Sequence, residues 1–444
     1  MIGASLLLIS VLQQAPKAYV DPSSAPPADE GVHFHAALEV GALALSSGTG
    51  ANGLDGFAVA FPRLGVKGGD EFEFELGAPL RFRLLDQEPL QQEQDYGRLR
   101  RQDWDERSDY AQLVRELRIG RDDGRFQFRA GGFATYTLGA GWLVNRYHNR
   151  LSPDYHPAGG NFTAYLGPTR VELFASDVLA TRLFAGEVRL DLGRVLSSNE
   201  AAFDRYLLSL DVAHDFGRGG GTTPPLSAAS VGLQVGAVKS EKVRLWVQAA
   251  AGARAETLIE SVPEYGAALG VVVAGKPKET VEIVGRLEGR RQGGRFRFGL
   301  FGAGYELSRF SGVGLSEVPL SEEVLPATFS GYGEVSATVS PLADEDLELT
   351  ASASGEYFVS NGRVDADAVL QAHLPGGKTM VELRAILTDL LAMPRYSVGL
   401  EVRHRFLPAV YGIAMAGTEH FPQAEGRLRN GFTAGLGVGV DFKR

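Results

Sequence analysis

Cysteine is absent from the 444-residue chain. That excludes a disulfide framework, a thiolate metal site and thiol catalysis. Long apolar runs are missing as well. None approaches the ~18–20 residues that a membrane-spanning helix needs, so a helical membrane protein is excluded. Blocks of basic charge are missing too: 44 Lys and Arg stand against 54 Asp and Glu, a formal net charge of -10. A net acidic chain without a basic block argues against nucleic acid as a partner. No HExxH, GxSxG or P-loop pattern occurs. The eight histidines are scattered; His33 and His35, two apart on one strand face, are the nearest thing to a metal pair and read more simply as polar side chains at a rim. Ser360-Asn361-Gly362 has no histidine beside it. No catalytic residue, metal or other cofactor is therefore expected.

Glycine, by contrast, is abundant at 56 residues, and 24 Phe, 14 Tyr and 3 Trp make the chain too aromatic to be disordered. Residues 2–12, IGASLLLISVL, suit the apolar part of an export signal, with small and polar residues after it. We expect a signal peptide over 1–18 and a flexible lead-in over 19–31, where Pro, Ser and acidic residues cannot build a core.

From residue 32 onward the dominant pattern has period two. In 70–85, DEFEFELGAPLRFRLL, Phe72, Phe74, Leu76, Ala78, Leu80, Phe82 and Leu84 share one face, and Glu71, Glu73, Glu75, Arg81 and Arg83 the other. Successive strand side chains point to opposite faces, so this reads as one long strand with an apolar and a charged side. The pattern recurs in 279–290, where Glu282, Arg286, Glu288 and Arg290 oppose Val281, Ile283 and Leu287. It returns in 363–374 with Asp365 and Asp367, in 378–387 with Glu382 and Arg384, and in 395–405 with Glu401, Arg403 and Arg405. Segments near 125–138, carrying Arg125 and Arg129, and 295–307, carrying Arg295 and Arg297, read the same way. The last, GFTAGLGVGVDF at 431–442, sets Phe432, Leu436, Val438 and Phe442 against three glycines and Asp441. Many runs reach 10–13 residues, where soluble strands usually have ~5–6 and a tilted strand needs ~9–11 to cross a bilayer.

Connections come in two kinds. Tight ones at 121–124, 239–241, 275–278, 375–378 and 407–408 use Gly, Pro, Ser and Asp. Long ones fall at about 86–111, 139–160, 216–229, 308–328 and 418–430. A sheet in hydrocarbon must close, because open edges leave backbone groups unsatisfied. Its apolar face then meets lipid and its charged face water. The expected fold is all-β: a single closed antiparallel transmembrane β-barrel over 32–444, with short periplasmic turns and long extracellular loops. At roughly 23 residues per strand and connection the count is about 18, with 16 to 20 allowed. The charged residues named above are the candidate lumen lining, where rings of charge select solutes.

In these features the chain resembles a Gram-negative outer-membrane β-barrel of the porin type, over nearly its whole length. The closing strand is similar to the terminal strand that outer-membrane assembly machinery reads, with Phe442 third from the end. The resemblance implies residence in the outer membrane with lipid around it. It also implies a channel for hydrophilic solutes with no chemistry of its own. The wide, Arg-rich, mixed-charge wall leans toward a conduit for polysaccharide export, helped by periplasmic export or envelope proteins. A small-solute porin and a closed or plugged barrel anchoring an envelope machine are the alternatives. Tyr136, Trp142, Tyr147 and Tyr155 around one long loop, and Phe406 and Phe442 near a short-turn rim, would form interfacial girdles. Two loops stand out: 93–109, where Asp103 and Asp105 hint at an oxygen-ligand cation site, and 141–157, which mixes aromatics with Arg146, His148 and Arg150. Either is long enough to fold into the pore and narrow it.

Overall fold

The computed structural model describes residues 31–46, 53–86, 97–121, 124–152, 154–199, 202–217, 225–240, 242–255, 264–278, 280–308, 311–312, 324–339, 348–374, 378–390, 395–423 and 427–443. The signal peptide and all but the last residue of the lead-in lie outside the described residues. The alternating segments form one antiparallel sheet closed on itself. Its first strand, Val32–Ser46, pairs along its length with Leu54–Gly68 and on its other edge with the last strand, Arg427–Lys443. The first and last strands of the described wall are thus joined, the closure that burial in lipid requires.

Among the described residues the wall has twenty strands, not about 18. The third position is filled by two pieces, Phe72–Gly77 and Leu80–Asp86, both paired with Leu54–Gly68. The interruption falls at Ala78-Pro79, where proline has no N–H to donate to the ladder. The count ran low because the estimate took each strand as long. Val114–Ile119, Phe126–Gly131 and Thr169–Ala175 are only six or seven residues, and 159–191 carries three strands, Gly159–Leu166, Thr169–Ala175 and Leu183–Asp191.

Connections at one rim are short: 69–71, 120–125, 167–168, 240–242, 279–280, 374–378 and 408–409. Those at the other include 87–113, 132–158 and 295–324. A longer connection at the short rim, 192–205, holds a single helical turn, Leu192–Leu196, capped by the Asp191 carboxylate accepting from Arg194 N–H. The loop expected at 418–430 is strand for most of its length, as Val410–Gln423 and Arg427–Lys443 run almost to one another.

The face that alternation assigns to lipid is the outer one. Leu64, Leu210, Leu269, Leu287, Val335, Leu400 and Leu436 are exposed, whereas Glu187, Asp211, Glu288 and Arg290 are buried. Exposed leucine and buried carboxylate invert the soluble pattern. Phe406 and Phe442 are exposed near the short-turn rim, where a girdle would place them. Tyr136, Trp142, Tyr147 and Tyr155 are not girdle residues: all four are buried, because the segment that carries them turns into the barrel.

Candidate functional site: the occupied lumen

Two insertions enter the barrel from the long-loop rim. The strand expected over 125–138 stops at Gly131, and 132–158 folds inward. Tyr136 and Tyr147 pair back to back, with N–H···O distances of 2.9 and 2.7 Å. The chain reverses at 138–141, where Gly141 N–H donates to Leu138 O (2.8 Å). The segment expected as a strand at 295–307 is the second insertion. Its Phe301–Gly302 lies parallel to Val144–Asn145 of the first, forming a two-stranded sheet inside the wall. Gly299 N–H donates to Trp142 O at 2.8 Å. Further on, Ser311–Gly312 pairs with Arg427 and Leu428, so this insertion reaches the last wall strand.

The inserts carry their own core. Leu138, Trp142, Leu143, Val144, Tyr147, Phe296, Phe298, Leu300, Phe301 and Tyr305 are essentially inaccessible. They fit because the facing wall is small. Ala228, Ala250 and Ala268 belong to the same core. Gly232 leaves a seat for the Trp142 indole, where a Cβ would lie 2.3 Å from Nε1, and Gly252 does the same for Phe296. Gly139, at φ +55, brings the hairpin tip against the wall so closely that a Cβ would overlap the Glu187 carboxylate.

Polar contacts fix the inserts to the wall. Ala140 N–H donates to Glu187 Oε2 (3.1 Å), and Arg286 Nη1 donates to Ala140 O (2.8 Å). Arg146 donates through Nε to both Asp367 oxygens (3.0 and 2.8 Å) and through Nη2 to Ser352 Oγ (3.1 Å). Asn145 donates to Tyr332 OH (2.7 Å), Tyr136 OH to Glu172 (2.8 Å), Tyr147 OH to Glu306 and Tyr305 OH to Asp215. Behind them the wall charges neutralise one another: Glu288 lies between Arg286 (2.6 Å) and Arg290 (2.7 Å), and Arg290 reaches Glu356 at 2.8 Å.

The inserts fill one side of the lumen. There the inward side chains are sealed, Glu187 and Arg290 each at 1% exposure. On the other side solvent reaches the inner face: Glu401 and Arg403 are 29% exposed and Arg405 34%. This stretch carries both signs. Arg63 and Arg403 donate to Glu39 (2.7 and 3.1 Å), His35 contacts Glu75 (2.9 Å), and Arg405 grips Asp441 through two nitrogens (2.8 and 2.6 Å). His35 is therefore engaged by a carboxylate. Between these charges the inward positions are Gly399 and Gly417, opposite each other, and Gly435 and Gly437, opposite Met415 and Ile413, so only these two apolar side chains stand among the glycines there.

The candidate lining divides accordingly. Glu73, Glu75, Arg81, Arg83, Arg129, Glu282, Arg286, Glu288, Arg290, Asp365, Asp367, Glu382, Arg384, Glu401, Arg403 and Arg405 lie on the strand face opposite the apolar belt. Glu71 and Arg125 are exposed in short-rim turns, because the strands begin one residue after each. Arg295 and Arg297 belong to the second insert; Arg295 pairs with Glu264. The Asp103 carboxylate is taken up by arginines: buried, it takes Arg81 (2.7 Å) and Arg100 (2.6 Å), and Arg100 also reaches Asp154. That ties the 97–113 segment to the first insert. Glu172, Glu187, Asp215 and Glu334, which touch the inserts, and Glu356, held by Arg290 on the wall, were missed. A signal was present: across the middle of Leu226–Lys239, Val243–Arg254 and Tyr265–Lys278 the inward positions are Ala, Gly, Ser and Gln, with no charge to meet water.

Closure, an apolar belt around it and a polar interior define an outer-membrane β-barrel. No protein-family model matches the sequence, and no curated protein does. Among solved structures, OccK11 (OpdR) of Pseudomonas aeruginosa aligns over 93% of this chain and 96% of its own, at 10% identity and a TM-score of 0.35. A BenF-like porin from Pseudomonas fluorescens aligns over 94% and 99%, at 10% identity and a TM-score of 0.36. OccAB4 of Acinetobacter baumannii aligns over 96% and 100%, at 10% identity and a TM-score of 0.35. Likeness at this level carries nothing about solute, and the class rests on the wall itself.

Proposed function

We propose that the protein is a porin-type channel of a Gram-negative outer membrane, passing small hydrophilic solutes without chemistry of its own. The observation that carries this is the solvent-reached, mixed-charge inner face beside the inserts, from Glu39, Arg63 and Glu75 round to Glu401, Arg403 and Arg405. Charge of both signs on a low-dielectric wall focuses field on passing solutes. The lean toward polysaccharide export has no such support. A polymer conduit needs a bore clear along its length, and here Trp142, Phe298 and their neighbours occupy one side of it. Both ends of the described wall, Val32 and Lys443, lie at the short-turn rim, which we assign to the periplasm. An export signal over 1–18 and a lead-in over 19–31 belong to the same reading.

Purified protein in planar bilayers tests it. We expect discrete conductance steps, and partial block by small charged solutes added to the bath. Silent membranes would favour the second reading, a plugged anchor, for which the buried clamp between Arg146 and Asp367 is the motive.

A further inference from the structure

Arg291 is a charge on the apolar side of the wall. Along Val281–Gly294 the outward positions are Ile283, Gly285, Leu287, Gly289 and Arg291, and the inward ones include Glu282, Arg286, Glu288 and Arg290. Arg291 is exposed, and its guanidinium lies 5.7 Å from the centre of the ring of Phe329, its register partner on the next strand. Alternation through the other described wall strands turns every Asp and Glu inward, and every Lys and Arg except Lys278. Lys278 is the last residue of its strand, at the short rim. Arg291 makes no ion pair among the described residues. A charge facing lipid is costly, least so near the interfaces, and marks a functional position.

The depth of Arg291 suits a headgroup. It stands four residues from Leu287, about 13 Å along the strand, or about 10 Å of depth at a tilt of about 40°. The apolar band is about 25 Å tall, so the guanidinium meets its edge at the long-loop rim. Inward from it along the outer face, side chains are missing. Gly289 and Gly331 stand opposite one another, as do Gly333 and Gly355, with Gly285 further along. A Cβ at Gly289 or Gly331 would meet nothing within 4 Å, and one at Gly333 only Leu287 Cδ2 at 3.4 Å. Other outer-face glycines are covered: Phe406 lies over Gly412, and Leu173 over Gly186. The result is a depression of about 370 Å³ in the belt, lined by Leu287, Gly289, Gly331 and Gly333. Tyr357, opposite Gly331, and Phe329 stand exposed at its margin. From Arg291 to Gly285 the depression and its approach run about 20 Å along the strand. At the same tilt that is about 15 Å of depth, one leaflet of a core about 30 Å thick.

We infer that this surface binds one anionic, phosphate-bearing lipid of the leaflet at the long-loop rim, with the phosphate on Arg291 and an acyl chain in the glycine depression. A guanidinium meets phosphate through charge-assisted hydrogen bonds, and the lipid supplies the anion that the wall does not. A second copy of this chain fits the surface less well. With every described wall Asp and Glu inward, it brings no carboxylate to Arg291, and a two-fold pairing through the patch sets Arg291 against Arg291. The inference goes beyond the channel reading and holds whether or not the barrel conducts.

The test is native mass spectrometry of the folded full chain, released from non-ionic detergent after incubation with phosphatidylglycerol or, separately, phosphatidylcholine. We expect one phosphatidylglycerol to be retained in preference to phosphatidylcholine. Arg291→Gln should lower that retention at least fivefold. Gly331→Leu, which fills open space without meeting a neighbour, should lower it by a similar factor with the charge still in place. Lys278→Gln, the outward cation at the other rim, should leave it unchanged. Equal retention of the two lipids by the wild type overturns the inference, and this arm stands even if a variant fails to fold. So does retention unaffected by Arg291→Gln, or lowered equally by Lys278→Gln, which would mean diffuse charge. Loss in Arg291→Gln but not in Gly331→Leu removes the acyl seat. A dimer that forms without added lipid and is broken by Gly331→Leu would give the patch to a second copy and likewise overturn the inference.

Discussion

Arg146 shows how firmly the first insert is held. Its backbone sits at φ +57, a left-handed conformation uncommon for any residue but glycine, and its guanidinium is buried against Asp367. Strain of this kind persists only where the surroundings over-determine it. Removing one partner of a buried pair costs about 3–5 kcal/mol, because the other charge is stranded. Arg146→Met should therefore speed amide hydrogen exchange over 136–147 by roughly a hundred- to several-thousandfold, with wall amides unchanged. Pairing it with Asp367→Leu should restore most of the protection. Titration at the 97–113 segment is the second residue-scale test. Burial would raise Asp103, but His156 at 3.7 Å and the charges of Arg81 and Arg100 reverse that and hold it at about 2. Burial lowers His156 to about 4. Burial raises Asp109 to about 7 against the hydrogen bond it accepts from Glu106 N–H. The signs differ. A lowered acid and a lowered histidine lose stability as pH falls, Asp103 from 3.8 to about 2 and His156 from 6.5 to about 4. A raised acid loses it as pH climbs from 3.8 through about 7. Between pH 4 and 6.5 His156 and Asp109 therefore oppose each other. In Asp109→Asn the histidine stands alone, and Trp104, on this segment, should report acid undocking across that window by fluorescence once Trp142 and Trp246 are replaced by Phe. A flat trace, or one unaltered by adding His156→Asn, would refute the coupling.

The inserts behave as an element distinct from the wall. The wall is held by its ladder and its belt, whereas the first insert is a reversal closed at its base by Phe133 and Asn149, whose backbone contact is 3.2 Å. Replacing 135–147 by Gly-Gly should therefore leave the barrel intact, as judged by a heat-dependent shift on a gel, and raise the unit conductance. Unchanged conductance would mean that the passage runs elsewhere. This division also explains what the sequence made legible. Period two is a local consequence of the pleat, so strands such as Val281–Gly294 and Arg395–Leu407, with their inward charges, were readable residue by residue. Phe296, Phe298 and Arg297 alternate just as strictly, yet 295–307 is not a wall strand. Nothing local separates an aromatic facing lipid from one facing alanine and glycine across a lumen; that depends on Gly232, Gly252 and Gly266, far off in sequence. The contact between His148 and Arg384 was invisible for the same reason, since Arg384 comes from a wall strand 236 residues away.

At the scale of the molecule the decisive matter is which face touches lipid, and a pair of substitutions reads it directly. Leu287 stands outward in the middle of Val281–Gly294 and is 65% exposed. Met415 stands inward in the middle of Val410–Gln423, opposite Glu401 and Gly435, and is 38% exposed. Both are accessible apolar side chains, and a soluble protein would accept arginine at either with little change. In a bilayer they part. Arginine at the lipid-facing midplane costs about 2–4 kcal/mol, while a lumen position costs little because its charge stays in water. Leu287→Arg should therefore lower the urea midpoint for folding into lipid vesicles by that much, and Met415→Arg should leave it nearly unmoved while shifting the ion selectivity of the channel. The inserts sharpen the contrast, since they occupy the far side of the lumen and leave the Met415 side open to solvent. Equal costs at the two positions would mean that both meet the same medium, and neither the belt nor the channel would survive that result.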